Sequence, residues 1–546
     1  MGHRLGAGRR APGRSSLTCL LLVLAVLLPL HAAAENITQT IPLRAGWNAV
    51  FLEVDPASTS CDDVFGGIPN LLSAWTWNSR TAVAEYVQDP DTLIPEQTQW
   101  LVYFPGDDLS TNLHAVYGER AYLIHVGGTR TDIEWMVTGE PRLPQLDWKD
   151  DSFNLVGFHL EAGAEPLFDA FFSASLAHRD QEVYILDDSG HWELVADPAT
   201  TRMRAGEAFW VYCGGASEFT GPLTVQLDRR AGLHYGTLLE EQSLLLRNSA
   251  AADIATTIEL DGGAPLAHRY TDPETGAGSW LEFPLVRSLP AGERSTVRIG
   301  TRRLGLTPGQ LYTANLTVSD GAGMRIVVPA SVEGVSLAGL WVGEACLRKV
   351  NEPRVAPDQT FPLVSDERSY AAAAEFSFRL ILHVDGAGQV RLLKQAIQVW
   401  DEAQGRHVVF SDDAKLALYP EATEGRRISS AAFGALRATE PRFEAPMAGQ
   451  LGGTLTCAVE TAPEDPTNPF RHGYHPDHGD PARAYRVTRA IELVFAEQDE
   501  EGASLGWGGT DMGGTYRETL TGLHRDPLRV EGVFLLQKVS EIDALE

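Results

Sequence analysis

Two stretches of this chain repeat one pattern, and that repeat limits the fold of its first half more than any other feature. Residues 46–54 read GWNAVFLEV and residues 152–160 read SFNLVGFHL. Each sets an aromatic residue (Trp47, Phe153) before an asparagine (Asn48, Asn154) and then runs into apolar residues. Downstream, GERAYLIHVGG at 118–128 matches GEAFWVYCGG at 206–215 with one gap. Self-similarity of this kind predicts two copies of one structural unit, here over residues 35–146 and 147–229. Apolar residues alternate inside each copy, and glycine or aspartate turns separate the runs, which is the period of strands. The stretch ILDDSGHWELV at 185–195 reads as a hairpin.

The GWN opening and the closing G-E-x-aromatic signature resemble a module found in tandem in large bacterial secreted and surface proteins. That resemblance implies a β-rich extracellular module without catalytic residues. Between 230 and 335 short strands recur at regular spacing, with Asp320-Gly321 turning the last hairpin. This pattern predicts an immunoglobulin-like β-sandwich. The phrase LTPGQLYTANLTVSDGAG is similar to the final hairpin of immunoglobulin-like and fibronectin-like spacers in exported bacterial proteins. In the remainder, 336–546, the long strands GLWVGEACLRKV and RVEGVFLLQKV stand first and last. Such strands can pair to close a β-barrel or a sandwich. The closing strands and the FRHGYHPDH segment look similar to domains of uncharacterised exported bacterial proteins. The fold class expected is all-β throughout.

Residues 1–34 read as a signal peptide. Arg4, Arg9, Arg10 and Arg14 precede an apolar run from Leu17 to Leu30, and Ala32-Ala33-Ala34 supplies small residues for cleavage before Glu35. The apolar run is shorter than the roughly 20 residues that span a bilayer, so no transmembrane segment is expected in the mature chain. The leader takes four of the 44 basic residues and none of the 73 acidic ones. The remaining chain is therefore strongly acidic, which excludes nucleic acid as a partner, because phosphate recognition needs positive patches. An exported protein of the periplasm, cell surface or extracellular space fits better, with carbohydrate or other surface proteins as partners.

Residues in three places have the chemistry for a site. His472, His475, Asp477 and His478 carry imidazole and carboxylate groups suited to zinc or another divalent metal, on a turn-rich loop. The paired acids Asp187-Asp188 and Asp412-Asp413 are of the type that binds calcium, and equally of the type that builds turns. Trp75 and Trp77 lie on one strand face, as a sugar-stacking platform requires, although large rings in small β modules also fill cores. Cys346 and Cys457 are a candidate disulfide, with two buried thiols as the alternative. No HExxH, G-x-S-x-G, phosphate-binding glycine loop or EF-hand pattern occurs. The expected role is therefore binding or structural and not enzymatic. A glycan-binding accessory protein and a metal-dependent hydrolase built on 472–478 are the alternatives.

Overall fold

The computed structural model describes residues 35–79, 83–95, 97–271, 273–274, 278–355, 362–419, 425–430, 444–461, 486–496, 499, 505–506, 509–524 and 526–546. Residues 1–34, read above as a signal peptide, and the 472–478 histidine segment lie outside the described residues. What is described is all-β, apart from short helical turns at Cys61–Phe65, Pro90–Thr92, Phe168–Phe172 and Asp413–Leu416.

The repeated sequences form sheets of one topology. In the first, Gly46–Leu52 pairs with Arg120–Val126, which pairs with Leu71–Trp77 and then Trp100–Tyr103. In the second, Ser152–Val156 pairs with Phe209–Cys213, followed by Val183–Leu186 and Trp192–Leu194. The shared asparagine has one task in both. Asn48 accepts from the Arg44 N–H at 2.9 Å and donates to the Arg44 and Gly46 carbonyls. Asn154 accepts from the Lys149 N–H at 2.8 Å and donates to the Lys149 and Ser152 carbonyls. One buried amide thus satisfies the backbone of the turn that delivers each opening strand.

The two sheets face each other. Trp47, Trp75, Trp100 and Leu123 of the first interlock with Phe153, Leu186 and Trp210 of the second in one apolar cluster. The indoles of Trp77, Trp100 and Trp210 meet edge to face at 5.2–6.2 Å, an arrangement that adds about 0.5–1.5 kcal/mol per pair beyond area burial. Gly157 allows the close approach, because a Cβ there would lie 2.2 Å from the Phe51 side chain.

Each sheet has a second covered face. Behind the first lies a three-stranded sheet of Ile37–Leu43, Ile133–Pro141 and Val54–Pro56. Val50, Leu52, Ile124 and Trp135 share the core between the two layers. The second module has no such layer of its own. Its Phe158, Phe168, Phe171 and Phe172 continue into the core of the β-sandwich with Leu223, Leu244, Ile299 and Val328. That sandwich packs two five-stranded sheets and takes in Leu223–Leu227, which pairs with Glu241–Asn248. The sequence pattern had placed this strand at the end of the second module.

Eight strands between residues 339 and 540 form a closed barrel in which Gly339–Val355 pairs with Leu528–Ser540. Trp341, Leu380, Leu382 and Tyr516 fill its interior. A three-stranded sheet, 395–429, is inserted between its third and fourth strands. Sandwich and barrel are joined by the Glu240 carboxylate, which accepts from the N–H and hydroxyl of Thr510. The buried Arg303 guanidinium donates to the carbonyls of Gly236, Leu239 and Glu333 beside this joint.

The expected Cys346–Cys457 bridge is not formed, and all four described cysteines are free thiols. The strands of Cys346 and Cys457 stand four places apart round the eight-stranded wall. Cys457 packs into the barrel core, as do Ala345 and Leu347. Strand alternation therefore turns Cys346 to the outer face. Distance along the wall and opposite orientation both exclude the bond.

Two outcomes follow. Trp210→Ala should cost about 3–5 kcal/mol, read as a lower urea midpoint, and Trp210→Phe should cost less. Adding a reductant should leave the melting temperature unchanged.

Candidate functional site

The most unusual polar constellation lies where both modules meet the sandwich. His159, 3% exposed, sits between two carboxylates of the first module. Its Nε2 donates to Glu119 Oε1 at 2.6 Å, and its Nδ1 lies 3.9 Å from Glu53 Oε2. Arg325 of the sandwich is tied to the same residue through the main chain, its backbone N–H donating to the His159 carbonyl at 3.3 Å. Burial opposes a charged imidazole, but the charge and hydrogen bond of Glu119 and the charge of Glu53 outweigh it, pushing the pKa up to about 9. Burial also raises the Glu53 carboxyl, against the pull of His159. At neutral pH the ring is an imidazolium clamped between modules.

Glu53 and His159 occupy equivalent places in the repeat, GWNAVFLEV against SFNLVGFHL. The signal in the sequence was thus a pair of complementary ionisable residues at one position of two copies. Reading the copies only for apolar matches missed it.

The clamp separates two hollows. A cavity of about 370 Å³ follows the seam between the modules, lined by Glu119, Arg120, Asp147 and Trp77. A larger recess of about 800 Å³ opens on the other side, with Glu53 and Arg325 in its wall. The recess is lined by residues 38–43 of the strand Ile37–Leu43, by residues 160–162 and Glu165, and by residues 204–208. The floor is held by backbone bonds between modules, Phe51 N–H to Gly206 and Ala208 N–H to Ala49. Gly206 adopts φ +75 there, a left-handed conformation that suits glycine.

The candidate residues from the sequence fare differently. Trp75 is 4% exposed and meets Trp100 and Phe104 edge to face, so it is closed to a ligand. Trp77 is half-buried against Trp100 and Trp210, and only its remaining surface lines the smaller cavity. The paired stacking platform is therefore not present, because the partner module covers the face on which both rings lie. Asp187 accepts from Ser189 and His191 within its own turn, and Asp188 pairs with Arg44. Asp412 caps the short helix by accepting from the Ala414 N–H. These acids are turn and cap groups, not an assembled calcium site. Among the described residues no group of three or more His, Cys, Asp or Glu is placed to hold a metal. His472, His475, Asp477 and His478 lie outside the described residues. His383 is buried with Nε2 donating to the Ile542 carbonyl.

The clamp predicts a pH response. The folded protein holds a proton on His159 that the unfolded chain, with an ordinary value of 6.5, releases. Stability from this group is complete below about 6.5 and declines as pH rises to about 9. Glu53, also raised, acts in the same sense from its ordinary 4.5 upward. His159→Gln should flatten the melting temperature between pH 6.5 and 9. His159→Leu, which leaves two buried carboxylates facing each other, should lose about 3–5 kcal/mol at neutral pH.

No protein-family model matches the chain, and none of the curated proteins matches it. Solved structures give distant likenesses. A protein of unknown function from Bacteroides ovatus is similar over 58% of this chain and 93% of its own, at 9% identity and a TM-score of 0.15. The E. coli chaperone DraB is similar over 31% of this chain and 88% of its own, at 12% identity and a TM-score of 0.15. The CsuC-CsuE chaperone–tip adhesion subunit complex of Acinetobacter baumannii covers 30% of this chain and 94% of its own, at 14% identity and a TM-score of 0.14. At TM-scores this low, no property of these proteins passes to the present chain.

Proposed function

We propose that this is an exported, non-enzymatic binding protein of the cell surface or extracellular space, with its ligand in the recess where the modules meet the sandwich. The observation that carries this reading is the recess itself, about 800 Å³ with walls from three mutually packed units. Its size is that of a ligand pocket, and the apolar seams around it hold its walls in place before any ligand arrives, which limits the ordering cost of binding. Export rests on the leader pattern of residues 1–34 and on the acidity of the remaining chain.

Binding is favoured over catalysis by the state of the ionisable groups. An imidazolium clamped between Glu53 and Glu119 has no lone pair with which to accept a proton, so His159 is a poor general base at neutral pH. The second module's Arg204 is matched by Glu207, and Arg44 by Asp188. These charges hold walls together. Carbohydrate and protein ligands are both compatible with a recess of this kind.

The test is a thermal-shift screen of the secreted protein against glycans and peptides. A ligand that stabilises the wild type should no longer do so in Ala162→Trp, which places an indole in the recess from an exposed wall position. Stabilisation unchanged in that variant would remove the recess as the site. The exported protein should also begin near Glu35 by N-terminal sequencing, and retention of residues 1–34 would remove the export reading.

A further inference from the structure

We propose that the recess takes an extended, basic peptide segment of another protein as an added strand on the open edge of Ile37–Leu43. The inference deepens the binding role argued above and rests on it.

Ile37–Leu43 is the outermost strand of its sheet, paired only with Ile133–Pro141. Antiparallel pairing directs the N–H and C=O of alternate residues to opposite edges. Pro42, opposite Glu134, has no N–H to give the ladder, and proline in a sheet turns its nitrogen to the free edge. By parity, the N–H and C=O groups of Thr38 and Thr40 and the carbonyl of Pro42 point outward. Among the described residues, no backbone group outside the strand pairing bonds to any of them. Six of the seven strand residues, Thr38 to Leu43, line the recess together with the following Arg44, so the unpaired edge borders a hollow of ligand size. A stretch of that length spans about 23 Å of extended chain.

Exposed edges usually invite sheet-to-sheet aggregation. Here residues 160–162, Glu165 and 204–208 line the same recess, so the edge borders a walled hollow and not an open surface. Main-chain bonds to such an edge supply affinity, and neighbouring side chains supply selectivity. The recess wall carries Glu161 and Glu165, and beside Glu165 the Arg202 guanidinium donates to its carbonyl and draws on its carboxyl charge. The lining holds four glutamates, Glu53, Glu161, Glu165 and Glu207, against three arginines, Arg44, Arg204 and Arg325, and Asp188 and Glu207 already pair with Arg44 and Arg204. With a formal net charge of −29 on the whole chain, complementarity selects a basic segment.

The probes are fluorescein-labelled eight-residue peptides in which lysine alternates with threonine, valine or leucine, read by anisotropy on the protein from Glu35 onward. Companion peptides carry N-methyl groups at alternate amides or glutamate in place of lysine. At least one basic peptide should bind, and both N-methylation and glutamate should weaken it at least tenfold. Thr40→Pro removes an outward N–H without touching the pairing to Ile133–Pro141. It should weaken binding at least tenfold at an unchanged melting temperature, while Thr40→Ala should not. The double change Glu161→Lys, Glu165→Lys should shift preference to the acidic peptides. Equal affinity for the N-methylated peptide, or indifference to Thr40→Pro, overturns the proposal. So does a concentration-dependent dimer abolished by Thr40→Pro, which would assign the edge to a second copy. If no peptide binds while a glycan still stabilises the wild type but not Ala162→Trp, the peptide is refuted and the binding role stands.

Discussion

Nearly every feature of this molecule depends on burying both faces of two small sheets. A four-stranded sheet with one apolar face against its own layer still leaves the other face wet, and in both modules that second face is apolar too. Packing the copies against each other removes those faces from water together. Trp47, Trp100 and Trp210 are the main contributors. The second module then finds its other layer in the sandwich, whose core it shares through Phe158, Phe171 and Phe172. The second module thus shares its apolar residues with neighbours on both faces.

Polar groups follow the same logic. A close approach of two backbones in a dry seam leaves donors and acceptors that must be satisfied locally. Asn48 and Asn154 do this for the two entry turns with nearly one set of bonds. Where the seam meets the sandwich, a cation between two acids is the solution, and His159 is suited to it because burial alone would discharge it while two neighbouring carboxylates keep it charged. The recess arises beside this clamp because the outer strand of the first module ends its sheet without a neighbour.

Much of the architecture was legible in the residues. Alternating apolar runs with glycine and aspartate turns indicated strands everywhere, and long first and last strands indicated closure of the C-terminal domain, which is a barrel of eight. The site was much less legible. Trp75 and Trp77 share a strand face, and alternation says only that they share it, not whether water or another module lies beyond. Cys346 and Cys457 both lie in strands of one domain, yet their separation round the barrel and their opposite faces are set by register. The Glu53–His159 pair was written at matched positions of the repeat and could have been found by comparing charges as well as apolar residues.

By itself, then, the order of residues determined the periodicity, the duplicated strand pattern and the acidity, properties set by composition and by neighbours close along the chain. Only tertiary structure decided which faces are dry, which edge is open and which charges meet. Those outcomes depend on groups far apart in sequence, Glu53 with His159 or Phe51 with Gly206. A strand's own pattern looks the same whether its outer face is solvated or covered, so nothing local could have distinguished a binding platform from a seam.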